Sequence, residues 1–317
     1  MLDLNWIRNN IQKFDEEMKK CGHKPQGNQI ITLDKDHREI TTELQQLQQQ
    51  RNLKSKAIGT IKDKKSKEFE NAKNAVSKIN ETITKLKLQA EKIDEELNQI
   101  LSSLPNILLP DVPFGKDENN NITISQYGTP KTFDFTPKEH QEIGEFLRMM
   151  DFKQSAQISG SRFVTLHKDL AKLERALAHF MLDIHINEFG FHEVSVPYLV
   201  RTSSMYGAGQ LPKFAEDAFQ TTHGAWLIPT SEVTITNLVR DSIVDKSILP
   251  LRYVAYTPCF RSEAGSASKD SHGMIRMHQF NKVELVTISS QDNYLQEFEH
   301  LIKAAEEILQ RLELPYQ

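Results

Sequence analysis

The chain has 317 residues, 38% of them hydrophobic and 26% charged, with a formal net charge of −4 and two cysteines. That is enough for two domains with ordinary cores, and no run approaches the roughly 20 apolar residues of a membrane span. Cys21 and Cys259 fit neither a disulfide framework nor a metal-ligand spacing, and the opening MLDLNWIRNN lacks the basic-then-apolar layout of a secretory leader, so the expectation is a reduced, cytoplasmic, soluble protein with no membrane partner.

Leu4, Ile7, Ile11 and Phe14 recur at helical spacing and predict a short helix, followed by a loop around Gly22, Pro25 and Gly27. From Leu33 the apolar pattern alternates in steps of three and four, through Ile40, Leu44, Leu47 and Ile58. After a break at Gly59-Thr60 it resumes at Phe69 and runs to Ile100. Such an alternation predicts a coiled coil over about 33–101, and its single break predicts an antiparallel hairpin with a tip near 59–66. The second helix should be about 48 Å long. Arg51 and Lys54 fall at core positions, so the distal coil should be loosely zipped. Between Arg51 and Lys67 seven basic residues face one acid, Asp63, a local charge of +6, whereas Asp94, Glu95 and Glu96 reverse the sign toward the base. A basic tip on an acidic chain is the electrostatic footprint of a phosphate-backbone partner, although on composition alone a solvated helix surface is the simpler explanation.

Residues 102–137 are rich in Pro, Gly and Asn and read as a connector. The predicted organisation is therefore an N-terminal domain over 1–105, a linker over 106–137 and a second domain over 138–317. In that domain Lys168 to Phe189 reads as an amphipathic helix leading into FGFHEVSVPYLV, which reads as a buried strand ending at Pro197. Gly207 and Gly209 suggest a loop, but a lone GxG pair is weak support for phosphate binding. Thr230 or Ser231, placed before Glu232 and an apolar pattern, reads as a helix start with a hydroxyl cap.

The most informative stretch is Thr257 to Leu285, TPCFRSEAGSASKDSHGMIRMHQFNKVEL. Leu251–Phe260 and Met274–Ile288 read as two strands of a hairpin, joined by a small, polar loop from Ala264 to Gly273. Strand alternation puts Arg276, Phe280 and Glu284 on one face, and Arg261 with Glu263 on one face. Phe280 and Glu284 would then stand about 13 Å apart. That span suits a ligand with a flat ring, a phosphate and an amine or hydroxyl, and arginine matches phosphate and carboxylate oxygens. Arg–Glu pairs at such spacing are also common on solvated surfaces.

FRSE, a loop and then RMHQFNKVE resembles the second signature motif of class II aminoacyl-tRNA synthetases, in the form found in bacterial-type seryl-tRNA synthetases. The amino terminus, the arm and the TSE at 230–232 resemble the same family. The resemblance implies an α+β fold: an N-terminal antiparallel α-helical coiled-coil arm, and a class II catalytic domain with an antiparallel β-sheet flanked by helices. It implies ATP-dependent activation of serine to seryl-adenylate, usually helped by Mg2+, then transfer to tRNA(Ser), with tRNA(Sec) left open as a second acceptor. Residue by residue, Arg261 would bridge the serine carboxylate and α-phosphate, with Arg276 near the phosphates as a second catalytic arginine. Arg261, Ser262, Glu263 and Phe280 would form the ATP site, Glu263 at the adenine edge and Phe280 on its face. Thr230, Ser231 and Glu232 would line the serine site, Thr230 and Glu232 holding the amino group, and Glu284 would accept the serine hydroxyl. Arg51, Lys54, Lys62, Lys64 and Lys65 on the arm, and Lys269 in the loop, would meet tRNA, and residues 180–200 would form much of a homodimer interface. The family's third motif, a GxGxGxxR-like string, is not found before the final LELPYQ, and the magnesium carboxylate of the family lies with it. The expectation is thus an incomplete catalytic core with impaired activity and no metal ligand of its own. The competing reading is a non-catalytic, tRNA-binding or dimerising relative, which would have no use for Thr230, Glu232 and Glu284.

Overall fold

The computed structural model describes residues 2–115, 117–264 and 272–317, and divides into two units between Ile122 and Thr123. In the first unit Asp3 accepts from the Asn5 amide at 2.8 Å and starts α1 (Leu4–Asn9). The single helix expected there is two. Asn10 leaves helical geometry (φ −139°, ψ 41°) and gives its side-chain amide to the Trp6 carbonyl, so α2 (Ile11–Lys20) starts afresh.

Helix α3 (Gly27–Thr60) begins ahead of Leu33, where the heptads start. The carboxylate of Asp15, on α2, accepts the Gln26 and Gly27 amides at 3.1 and 2.9 Å and supplies the helix start from a distance. Gly27 is required there, because a Cβ would stand 2.8 Å from Ile11 Cγ2. A short turn leads to Ser66, whose hydroxyl accepts from the Phe69 amide and caps α4 (Lys67–Ser103). With 37 residues α4 spans about 55 Å, longer than the heptads alone indicated. Ile30 shares a core with Leu97 and Leu101, so α3 and α4 run antiparallel, and Ile7, Phe14 and Met18 close that core at the base. Farther out Ile83 is buried but Leu53 is 62% exposed, in keeping with the loose distal coil that Arg51 and Lys54 predict.

The second unit opens with α5 (His140–Phe146), β1 (Met150–Asp151), α6 (Phe152–Ser159) and β2 (Thr165–Leu166), with β1 antiparallel to β2. Then come α7 (Lys168–Asn187), β3 (His192–Glu193), β4 (Leu199–Val200), α8 (Thr202–Gly207), β5 (Trp226–Leu227) and α9 (Glu232–Thr236). The long hairpin β6 (Leu251–Phe260) and β7 (Gln279–Ile288) is followed by α10 (Tyr294–Arg311). β4 pairs with β5, and β3–β6–β7 form a sheet in which β6 and β7 are antiparallel and β3 is parallel to β6.

Two expectations are corrected here. The strand expected up to Pro197 shrinks to His192–Glu193. The second limb of the hairpin starts at Gln279 rather than Met274, because the preceding amides are engaged elsewhere. Gly273 donates to Gln141 Oε1, Met274 to His140 Nε2 and His278 to the Arg162 carbonyl, so no ladder forms. One face of the hairpin packs Val254, Tyr256, Val283 and Leu285 against Leu182 of α7, Ala304 of α10 and Phe191 in the segment between α7 and β3. Arg252 and Glu297 tie β6 to α10 by two bonds of 2.7 Å.

Candidate active site

The other face of the hairpin carries a row of longer, largely polar side chains. Every second residue of β7 points the same way, so Phe280, Lys282 and Glu284 share that face. Directly across on β6 stand Cys259, Thr257 and Ala255. These three are small and buried, so they form a floor beneath the longer side chains rather than filling the space above them. The Phe260 amide donates to the Ile228 carbonyl at 2.9 Å, which draws the following Pro229-Thr230-Ser231-Glu232 over that floor. The cleft so formed has a volume of about 420 Å³ and is lined by Gln210, Phe214, Asp217, Ala218, Pro229, Thr230, Glu232, Arg261, Glu263, Arg276, Lys282 and Glu284.

At its centre Glu284 collects donors. The Thr230 hydroxyl lies 2.7 and 2.6 Å from its two oxygens, the Ser231 hydroxyl 2.6 Å from Oε2, the Lys282 ammonium 2.8 Å from Oε1 and the Glu232 amide 3.1 Å from Oε2. The expected hydroxyl cap of α9 is therefore reversed. Ser231 makes no side-chain cap and spends its hydroxyl on Glu284, and it is Glu284, 52 residues away, that accepts the first helical amide. Thr230 accepts weakly from the same amide at 3.3 Å.

Burial works to raise the Glu284 pKa, but the bonds from Lys282, Ser231 and Thr230 and the Lys282 charge outweigh it and hold the carboxyl below its usual range. Glu232 moves the other way: burial and the nearby Glu284 charge push it up against the pull of Lys282. Among the described residues no hydrogen bond or ion pair closes on the Glu232 carboxylate. Two carboxylates in one cleft driven in opposite directions are equipped for different tasks.

The arginines come from the ends of the hairpin, not from its ladder. Arg261 follows the last residue of β6, donates Nε to the Pro229 carbonyl at 3.3 Å and lies 5.2 Å from the Phe280 ring centroid. Arg276 reaches the cleft from the segment before β7 and pairs with Glu263 at 3.2 Å; Glu263 itself sits at φ 51°. The strand-face argument for Arg261, Glu263 and Arg276 thus fails in detail, since all three lie outside the strands, yet the cleft gathers them. Ser262 it does not gather. The Ser262 amide and hydroxyl donate to the carbonyls of Asp217 and Glu216, and Asp217 Oδ1 takes the Ala264 amide at 2.9 Å. Phe280 does not line that cleft either: it meets it through Arg261 and borders a second hollow of about 580 Å³, with Phe163, Met274, Met277 and Asn281.

Lys62, Lys64 and Lys65 stand exposed in the turn between α3 and α4, Lys54 is exposed on α3, and Arg51 is half-buried beside Asn52. Lys269 lies outside the described residues. Sequence reasoning missed Lys282 and Asp217. The signal for Lys282 was at hand, because the alternation that aligned Phe280 with Glu284 necessarily includes the residue between them.

A family model for the seryl-tRNA synthetase N-terminal domain matches residues 1–108, and one for the tRNA synthetase class II core domain (G, H, P, S and T) matches residues 217–317. The chain is 49% identical over 319 residues to the serine–tRNA ligase of Bartonella tribocorum, covering all of this chain and 75% of that protein. It is 49% identical over 318 residues to that of Rickettsia felis, covering 74% of the relative. Among solved structures, seryl-tRNA synthetase from Pyrococcus horikoshii complexed with ATP superposes with a TM-score of 0.85 at 33% identity, over all of this chain and 76% of that one. The cytoplasmic enzyme of Naegleria fowleri in complex with AMP shares the fold, with a TM-score of 0.81 at 24% identity.

Proposed function

The chain belongs to the seryl-tRNA synthetase family, and on that premise we propose that the β6–β7 cleft holds serine and ATP for formation of seryl-adenylate, while the basic tip of the arm holds the tRNA that receives the seryl group. The observation that carries this reading is the pair Glu232 and Glu284, driven apart in one cleft beside Arg261. In the first step a serine carboxylate oxygen attacks the α-phosphorus of ATP and pyrophosphate leaves. In the second the terminal ribose hydroxyl of tRNA attacks the seryl carbonyl and AMP leaves. Neither step needs a covalent bond to the protein, so the residues position groups and neutralise charge.

Glu232, which has no partner of its own among the described residues, takes the serine ammonium with help from Thr230. Arg261 spans the serine carboxylate and the α-phosphate, and Arg276 stands near the remaining phosphates. Phe280 offers its ring to the adenine and Glu263 its carboxylate to the adenine edge. Glu284 reads the serine hydroxyl. Its four donor groups already occupy about as many acceptor sites as a carboxylate offers, so the incoming hydroxyl exchanges with the rotatable hydroxyl of Ser231 or Thr230. Alanine brings nothing to exchange.

Magnesium finds no fit in this part of the chain. Among the described residues there is no group of three or more His, Cys, Asp or Glu that could hold a metal, and Glu284 is already committed to its donors. No step is therefore routed through it. No helix among the described residues is long and apolar enough to cross a membrane. The reading places the protein in the cytoplasm with its substrates. It also pairs two copies through 180–200, where Tyr198 and Leu199 are 41% and 54% exposed.

Calorimetric titration with serine, alanine and threonine tests the assignment. Serine should bind in preference to both. Its affinity should fall on acidification at a pH above that of an ordinary exposed glutamate, because the raised Glu232 pKa means that the proton returns early. Glu232→Gln should weaken serine binding and abolish that acid limb. Equal binding of serine and alanine, or an acid limb that survives the substitution, would overturn it.

A further inference from the structure

Lys282 has no task in the assignments above, yet among the described residues it is the one cation within hydrogen-bonding reach of Glu284. Its ammonium lies 2.8 Å from Glu284 Oε1 and 2.9 Å from the Thr230 hydroxyl oxygen, with only 29% of its side chain exposed. Of the donors around Glu284, the two hydroxyls are neutral and can rotate away, and the Glu232 amide is fixed in the first turn of α9. Lys282 is the charged partner, and a carboxylate as enclosed as Glu284 gives up such a partner at high cost. Four carboxylates line the cleft: Asp217 takes the Ala264 amide, Glu263 pairs with Arg276 and Glu284 with Lys282, so that among the described residues only the Glu232 carboxylate is left open to a substrate ammonium.

We propose that Lys282 is a positioning residue for amino-acid specificity: it occupies the cation site of Glu284, so that the substrate ammonium is left with Glu232 and Glu284 is reserved for the substrate hydroxyl. This rests on the assignment of serine to the cleft. The division of labour follows from charge. With Lys282 in place Glu284 stays ionised but its charge is largely balanced, so it adds little attraction for a second ammonium and keeps its acceptor capacity for a hydroxyl. Without it two carboxylates compete for one ammonium, and an amino acid that lacks a hydroxyl binds nearly as well as one that has it.

The test compares serine with alanine by calorimetry in the unchanged chain, in Lys282→Met and in Lys282→Arg. Lys282→Met should lower the serine-to-alanine affinity ratio by on the order of 10-fold or more, the scale of a hydrogen bond to a charged group. Lys282→Arg, which returns the charge, should restore most of the ratio. A side chain that only packs would leave the ratio alone, so two results overturn the proposal: an unchanged ratio, including the case in which both ligands weaken equally, or failure of arginine to restore what methionine loses. Should Lys282→Met not fold, Lys282→Gln is read in the same way, as it keeps a donor without the charge. The unchanged chain separates the two levels of the argument. If it does not bind serine, the assignment of the cleft fails and this inference with it; if it does, only the variants judge Lys282.

Discussion

Lys65 on the arm and Lys282 in the cleft carry the same ammonium in different settings. Lys65 stands in a solvent-exposed turn among Lys62 and Lys64, in a stretch from Arg51 to Lys67 whose one acid is Asp63. Lys282 is held against a carboxylate that also takes two hydroxyls and a helix amide. At 4 Å a pair of unit charges is worth about 1 kcal/mol in bulk water and about 4 kcal/mol at the effective dielectric of a protein surface site. The tip can therefore act only by summing weak, salt-screened terms, each removable without upsetting its neighbours. The cleft acts as a network, in which removing one member leaves the others unsatisfied.

The sharpest break in this contrast is Glu284→Ala. It strands one ammonium, two hydroxyls and the start of α9, and serine affinity should fall on the order of 10²-fold. Titration calorimetry measures that loss, and unchanged affinity would show that the hub carries no recognition. A gentler effect belongs to the tip. Converting Lys62, Lys64 and Lys65 together to Gln should flatten the plot of log tRNA affinity against log salt by up to about three units, at near 0.9 per phosphate, while serine binding stays unaltered. An unaltered slope would reduce the tip to a solvated surface. Smallest of all, Leu53→Gln on the loose distal coil should change unfolding free energy by no more than about 0.5 kcal/mol in denaturant titration, because that side chain is 62% exposed already. A larger loss would mean that the tip is itself a packed network.

What the sequence could reveal follows the range of the interactions involved. The two long helices and the aligned Phe280 and Glu284 depend on periods within a single element, and those are legible. The start of α3 was not, because its cap is a carboxylate on another helix, and no local pattern around Gly27 announces Asp15. The reversal at Ser231 has the same cause. Serine before a helix reads as a cap until a carboxylate 53 residues later outbids the helix for the hydroxyl. The break of β7 before Gln279 likewise depends on His140 and Gln141, which alternation along 274–288 cannot contain. Ser262 was carried into the ATP site with its neighbours in a motif, but its hydroxyl turns to the Glu216 carbonyl.

The Asp15 cap also fixes a distance. By setting the first residue of α3, a carboxylate on α2 sets the zero mark of a rod of 34 residues, about 51 Å to its turn. Four residues added to α3 and four to α4 would carry the lysines roughly 6 Å farther out, about one helical turn, without touching the cap or the core at the base. The arm can thus be treated as a ruler: its gauge is the residue count between Asp15's anchor point and Ser66, and it can be recalibrated in steps of a turn to ask how far from the base a bound RNA must be gripped.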